Sequence, residues 1–406
     1  MTAYKQTELG LIPSDWEVVE LGKIANIDPE NLTSDTDLNY EFNYISLEQV
    51  TLGKLEKTER FKFQNAPSRA RRILRKNDIL VSTVRPNLMS HYWVKNEVSD
   101  LICSTGFSVV RANDDTLVAP YFYHHLFAYI INNQINLLVV GSNYPAINSK
   151  DVKGLKFPLP PKPEQTAIAT ALSDTDALLA ELEKLLAKKQ AIKTATMQQL
   201  LTGKTRLPEF AHRADGTPKG SLKTEWGDIP EDWEVVALGD LCNIQKGELI
   251  TSDTKKNGNI PVIAGGKKPA YFHNIANRNG KTITISASGA SAGFVNFFTQ
   301  PIFASDCSTI SESEKYNIEF IYYSLVNFQM KIYGMQTGGA QPHVQPSDLK
   351  PLLIPITNKP EQTVIAQILS DMDSEITALQ ARIEKLREIK QGMMQNLLTG
   401  KIRLPF

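Results

Sequence analysis

The sequence predicts a mixed α/β (α+β) protein of two globular modules separated by two long helices, paired antiparallel as a coiled coil about an internal pseudo-two-fold. Three observations predict it: a duplicated set of short motifs, heptad-spaced apolar residues near each duplicate, and strand-to-loop texture in between. On this reading the 406 residues divide into a first module at 1–160 and a helical spacer at 161–203. A linker and second module follow at 204–357, then a second helical spacer and tail at 358–406. A chain of this length exceeds one ordinary domain.

The duplication organises everything else. IPSDWEVVELGKIANI begins at Ile12 and IPEDWEVVALGDLCNI at Ile229, an offset of 217. PEQTAIATALSDTD begins at Pro163 and PEQTVIAQILSDMD at Pro360, an offset of 197. That offset holds to LLTGKTRLP at Leu200 and LLTGKIRLP at Leu397, with about half the intervening residues identical. It also pairs Gly141 with Gly338, Pro145 with Pro342, and Asp151 with Asp348. Between these segments the copies barely align. Residues 28–140 and 245–337 share only vague features, such as DILVSTVRP against TITISASGA. A constant frame carrying two different modules implies two versions of one task.

The shared segments read as helices. Pro163 with Glu164 and Gln165 suits a first turn, where a missing N–H costs nothing. Ser173 and Asp174 offer a cap or a break before a longer stretch. Gly203 and Gly400 should terminate the helices, with Pro208 and Pro405 beyond. A heptad seam is formed by Leu179, Leu182, Leu186 and Leu200 in the first copy. In the second it comprises Ile376, Leu379, Ile383, Leu386, Met393 and Leu397. Lys189, Lys193 and Lys390 interrupt it. Each seam needs an apolar partner, and the other copy is the economical one. About 28 helical residues would span about 42 Å, comparable to one turn of duplex DNA, about 34–36 Å.

In the modules, NDILVSTV (residues 77–84) reads as a buried strand entering a loop at Arg85, Pro86 and Asn87. KTITISASGASAG (residues 281–293) reads as a strand running into a Gly/Ser-rich turn. Formal net charge is zero, which taken alone disfavours a polyanion partner. The average conceals two basic islands. Residues 51–95 hold eleven Lys or Arg against three Asp or Glu, and residues 245–300 hold seven against two. Basic residues beside aromatics and small loop residues suit phosphates and base edges, although each charge taken singly is also what a solvated face would show. On that basis the expected contacts in the first module are Arg69, Arg71, Arg72, Arg75, Arg85 and Asn87. Those of the second are Lys267, Lys268, Tyr271, Arg278, Ser288 and Ser291.

No catalytic constellation accompanies them. The GKT at Gly203 has Gln198 where a P-loop needs glycine, and Gly280-Lys281-Thr282 has Ile275 there. GxSxG and HExxH are absent, and Asn143-Tyr144-Pro145 only echoes an amino-methyltransferase run. His124 and His125 are expected on a half-buried helix, and Gly289 to Gly293 could cradle an anion. Cys103, Cys242 and Cys307 show no CxxC spacing, which suits a reducing, cytoplasmic setting. No apolar run approaches membrane-spanning length, and MTAYKQTELG is no signal region. An interaction scaffold for other polymers, or an enzyme with an unfamiliar site, are the rival readings. The first predicts salt-insensitive binding, the second turnover by the chain alone.

The paired IP-x-DWEVV boxes, PEQT-x-IA helix openings and LLTGK-x-RLP ends resemble the specificity subunit of type I restriction–modification systems, over nearly the whole chain. The resemblance implies that each variable module is a target-recognition domain reading one half of a split, asymmetric double-stranded DNA sequence. The helices would fix the gap between the halves. Two methyltransferase subunits and two translocating restriction subunits would assemble on the scaffold. S-adenosylmethionine would belong to the methyltransferase, which modifies adenine N6, and ATP and Mg to the restriction subunit. This chain would bind no cofactor or metal and supply no chemistry.

Overall fold

The computed structural model describes residues 3–139, 145–224, 227–250, 256–339 and 341–405, so Gly141 and Asn143-Tyr144 lie outside the described residues. The chain divides into two compact units. One comprises Met1–Glu183 with Arg382–Phe406, the other Lys184–Ala381. Each therefore owns the start of one long helix and the end of the other.

In the first unit, one antiparallel sheet orders its strands Tyr92–Trp93, Ile79–Ser82, Phe107–Ala112, Ala25–Ile27. A second orders Glu59–Lys62, Glu41–Ile45, Leu101–Ser104, Ala70–Ile73, with the central pair parallel. Strand side chains alternate between faces. Accordingly Ile79 and Val81 pack with Tyr121, Phe122 and Phe157, while Leu80 joins Val109 in a separate cluster with Ile45 and Cys103. Burial on both faces explains the unbroken apolar run in this strand.

The second unit repeats the frame. Its antiparallel sheet orders Gln245–Lys246, Cys307–Ser311, Thr282–Ser286, Val295–Phe298. Its smaller sheet orders Tyr271–His273, Ile260–Ile263, Phe303–Ala304, among the described residues one strand fewer than the first unit's counterpart. Thr282–Ser286 thus takes the central place that Ile79–Ser82 takes in the first unit, although the two strands share little sequence.

The duplicated motifs meet at one point in each unit. Arg403 donates to Asp15 at 3.0 and 2.9 Å and to Glu164 at 2.7 Å, and Trp16 Nε1 donates to the same Glu164 at 3.0 Å. In the other unit Arg206 bonds Asp232 at 2.7 and 3.1 Å and Glu361 at 2.9 and 3.0 Å, with Trp233 Nε1 3.2 Å from Glu361. Both glutamates are sealed, at 0% and 1% exposure. Gly400 and Gly203 adopt φ of 70°, and a Cβ on either would collide with Pro13 or Pro230. The neighbouring glutamine also bonds into its module. Gln165 accepts from the Val118 N–H at 2.9 Å, and Gln362 from Asn317 at 2.8 Å.

The long helices run Lys162–Leu200 and Lys359–Leu397, 39 residues each. The break anticipated at Ser173 and Asp174 does not occur. Ser173 meets His124 at 3.1 Å and Asp174 is exposed to solvent, so neither polar group draws on the helix backbone. The helices pair antiparallel in each unit: Asp176 to Lys390 and Glu183 to Arg387 in the first, Lys189 to Glu375 and Lys193 to Asp373 in the second. The lysines that interrupt the seam are thus its cross-helix ion pairs, and Asp176–Lys390 is the repeat image of Asp373–Lys193, both at 2.5 Å. Of the seam residues, Leu182, Leu200, Ile376, Ile383 and Leu397 are buried. Leu179, Leu186, Leu379, Leu386 and Met393 are half-buried.

His124 and His125 lie on the helix Ala119–His125, fully buried rather than half-buried. His125 packs on Tyr121 with ring centroids 4.7 Å apart, and among the described residues neither of its ring nitrogens has a partner. Burial pushes His125 down to about 3, and His91 and His124 down to about 4.

Replacing Arg403 with Ala leaves Glu164 buried and uncompensated, so urea unfolding should show a loss of about 3–5 kcal/mol; Arg206→Ala should mirror it. The three histidines, depressed in the folded state, contribute full stability above about pH 6.5, and that stability drains as pH falls toward 4. Unfolding midpoints should therefore decline from pH 7 to pH 5, with a shallower decline in a His125→Phe variant.

Candidate nucleic-acid interface

In each unit the central strand delivers a loop, and the loop is held by a duplicated proline segment. The Arg85 N–H donates to the Pro145 carbonyl at 2.7 Å, and the Gly289 N–H to the Pro342 carbonyl at 3.0 Å. Ile147 N–H bonds the Thr83 carbonyl, and Val344 N–H the Ala287 carbonyl, each at 2.9 Å. Behind these segments, Asn148 with Asp151 and Gln345 with Asp348 form capping boxes on the next helices. The paired Pro145/Pro342 and Asp151/Asp348 are therefore a clamp on two equivalent loops.

Arg85 and Gly289 occupy the same place, and both are left-handed, φ 50° and 78°. Glycine adopts this conformation without strain, whereas a non-glycine residue loses roughly 1–2 kcal/mol. Arg85 and Asn87 are exposed on this loop. Arg69, also exposed, reaches the same end of the module: its carbonyl accepts from Thr105, whose neighbour Gly106 bonds Thr83.

The other basic residues of the island point to different work. Arg72 is 18% exposed and bonds Asp28 and Asn31, each at 3.0 Å. Arg75 is exposed but pairs with Glu30 at 2.5 Å, and Glu30 in turn pairs with Arg111 at 2.8 Å. Arg71 lies 5.0 Å over the Phe63 ring. In the second unit Lys267 and Lys268 are exposed, with Lys267 5.4 Å over Phe294. Tyr271 is half-buried on an edge strand. Arg278 is 12% exposed and bonds Thr309 at 3.0 Å and the carbonyls of Asn277 and Lys246 at 2.8 and 3.1 Å. Ser288 bonds Asp306, and Ser291 is half-buried in the 3-10 turn Gly289–Ser291.

Sequence reasoning passed over Leu88, exposed on the Arg85 loop itself, Leu52, exposed on the neighbouring turn, and Lys95, 5.0 Å over Trp93. Leu52-Gly53, a two-residue link between the paired strands Val50–Thr51 and Lys54–Leu55, was the available signal. Among the described residues no cluster of His, Cys, Asp and Glu could hold a metal ion, and no helix is long and apolar enough to cross a membrane.

Known proteins resemble this chain over both modules. The family model described as type I restriction modification DNA specificity domain matches twice, at residues 13–194 and 230–390. A putative type I restriction enzyme MjaX specificity subunit from Methanocaldococcus jannaschii is 30% identical over 99% of this chain and 97% of its own length. The HindI specificity subunit of Haemophilus influenzae is 23% identical over 96% of this chain and all of its own. Among solved structures, the M. genitalium type I S subunit superposes with a TM-score of 0.66 at 17% identity, covering 94% of this chain and 96% of that one. The HsdS subunit of Thermoanaerobacter tengcongensis gives 0.51 at 23% identity, over 96% and 98%. With both modules and nearly the full length matched, the chain belongs to the family of type I restriction–modification specificity subunits.

Proposed function

We propose that this chain is the non-catalytic address of a DNA adenine methyltransferase and endonuclease. Each unit reads one half of an asymmetric, bipartite duplex target, and the paired helices fix the gap. Two methyltransferase subunits, carrying S-adenosylmethionine, and two restriction subunits, using ATP and Mg, assemble on it in the cytoplasm and supply the chemistry. The observation that carries this reading is the pair of equivalent loops, fixed by identical backbone bonds yet bearing unlike side chains. A constant mount with interchangeable tips suits two different half-sites.

Exposure narrows the proposed contacts. Arg69, Arg85 and Asn87 serve the first half-site, with Arg71 and Arg75 at its margin; Lys267, Lys268, Tyr271 and Ser291 serve the second. Arg72 and Arg278 hold their modules together, and Ser288 braces its loop against Asp306.

The test is to co-express the chain with its cognate methyltransferase subunit and map methylated adenines by single-molecule sequencing. A split motif with two unlike halves and a fixed gap is expected, and removing one heptad from each helix should change that gap. A complex that forms and binds S-adenosylmethionine yet methylates nothing would sink the reading. Arg85→Gly, which keeps the left-handed turn without strain, should relax one position of one half-site by about 1–3 kcal/mol. Arg72→Ala should instead cost about 3 kcal/mol of folding stability, read by urea denaturation.

A further inference from the structure

The described residues include five non-glycine residues with left-handed φ, and three of them, Leu52, Arg85 and Met89, sit on two neighbouring turns of the first unit. One turn is the two-residue hairpin link Leu52-Gly53, φ 46° and 84°. Such a link favours Asn-Gly, and leucine is among the poorer choices for its first position. The other is the loop from Arg85 to Ser90. Between them lies a groove of about 880 Å³ lined by Leu52, Leu88, Arg85, Asn87 and Glu48, among others. Leu52 is 64% exposed and Leu88 56%. Two large apolar side chains are thus held in water, one of them on a strained backbone. Strain kept without a packing return points to a ligand.

Chemistry narrows the ligand. Arg85 at the groove suits a backbone phosphate at its rim, but Glu48, Asn87 and the two leucines between the turns suit a base edge. An asparagine pairs bidentately with adenine N6 and N7, and in the same base pair the thymine 5-methyl projects beside them into the major groove. We propose that this groove reads an A·T pair of the target: Asn87 addresses the adenine, and Leu52 and Leu88 enclose the thymine methyl. The proposal rests on the first unit being a DNA reader. It adds the apolar half of the readout, which the basic residues cannot supply.

The experiment uses the full chain in complex with its methyltransferase subunit and duplexes carrying its mapped target. Each thymine of the target is replaced singly by uracil, which differs only in lacking the 5-methyl group. At one position the wild-type complex should lose about fourfold in affinity, the worth of one buried methyl. Leu88→Ala and Leu52→Asn should bind the unmodified target correspondingly less well and be indifferent to uracil there. Leu52→Asn should melt at the same temperature as wild type or higher, since asparagine suits that turn. The proposal is overturned if no thymine-to-uracil change matters, or if the loss persists unchanged in both leucine variants. It is equally overturned if the variants shed the methyltransferase while keeping target selectivity, which would assign the leucines to a protein partner. Failure of the DNA-reading function itself would look different: the wild-type complex would not distinguish target from random duplex at all.

Discussion

The fold depends on a buried carboxylate that three separate stretches of chain must reach together. Glu164 lies at the start of the first long helix, Trp16 and Asp15 in the opening box, and Arg403 in the last residues of the tail. A sealed glutamate is tolerable only when its charge and lone pairs are answered. Here a guanidinium and an indole N–H answer them, and the arginine also forks onto Asp15 at the surface. Glu361, Trp233, Asp232 and Arg206 repeat the arrangement. Each motif of the duplicated set is one arm of this junction, which is why the three recur together.

From that junction the rest is positioned by short steps. The glutamine after each buried glutamate bonds the residue that caps a module helix, Val118 before Ala119–His125 and Asn317 before Ile318–Asn327. The duplicated proline segment bonds the loop after the central strand, and the capping box behind it fixes the segment's own direction. The loop is thereby mounted on backbone hydrogen bonds, which do not depend on side-chain identity. Residues on the loop can change without disturbing the mount. Arg85 and Gly289 illustrate this: the backbone conformation is shared, and the chemistry presented is not.

Charge is distributed by a similar division. Lys189, Lys193 and Lys390 look like faults in an apolar seam, but each meets an acid on the opposing helix. Within the modules Arg72 and Arg278 are drawn into internal networks, while Arg69, Arg85, Lys267 and Lys268 stay at the surface. A basic island in a sequence is thus a mixture of buried, network-bound cations and exposed ones.

The sequence by itself determined the repeat, the two helical stretches, the buried central strands and the family, because these rest on periodicity and on motifs contiguous in the chain. Only the tertiary structure decided which motif arms meet. Arg403 and Glu164 are 239 residues apart, and nothing local in either announces the other. It also decided that the helix passes unbroken through Ser173 and Asp174, because the groups that satisfy such polar residues include a partner, His124, supplied by another element. The candidate site was half legible for the same reason. That residues 77–87 form a strand and an exposed loop follows from local pattern. Whether an arginine faces solvent or an aspartate, and whether a leucine is core or left in water beside a groove, depends on neighbours that only the folded chain brings near.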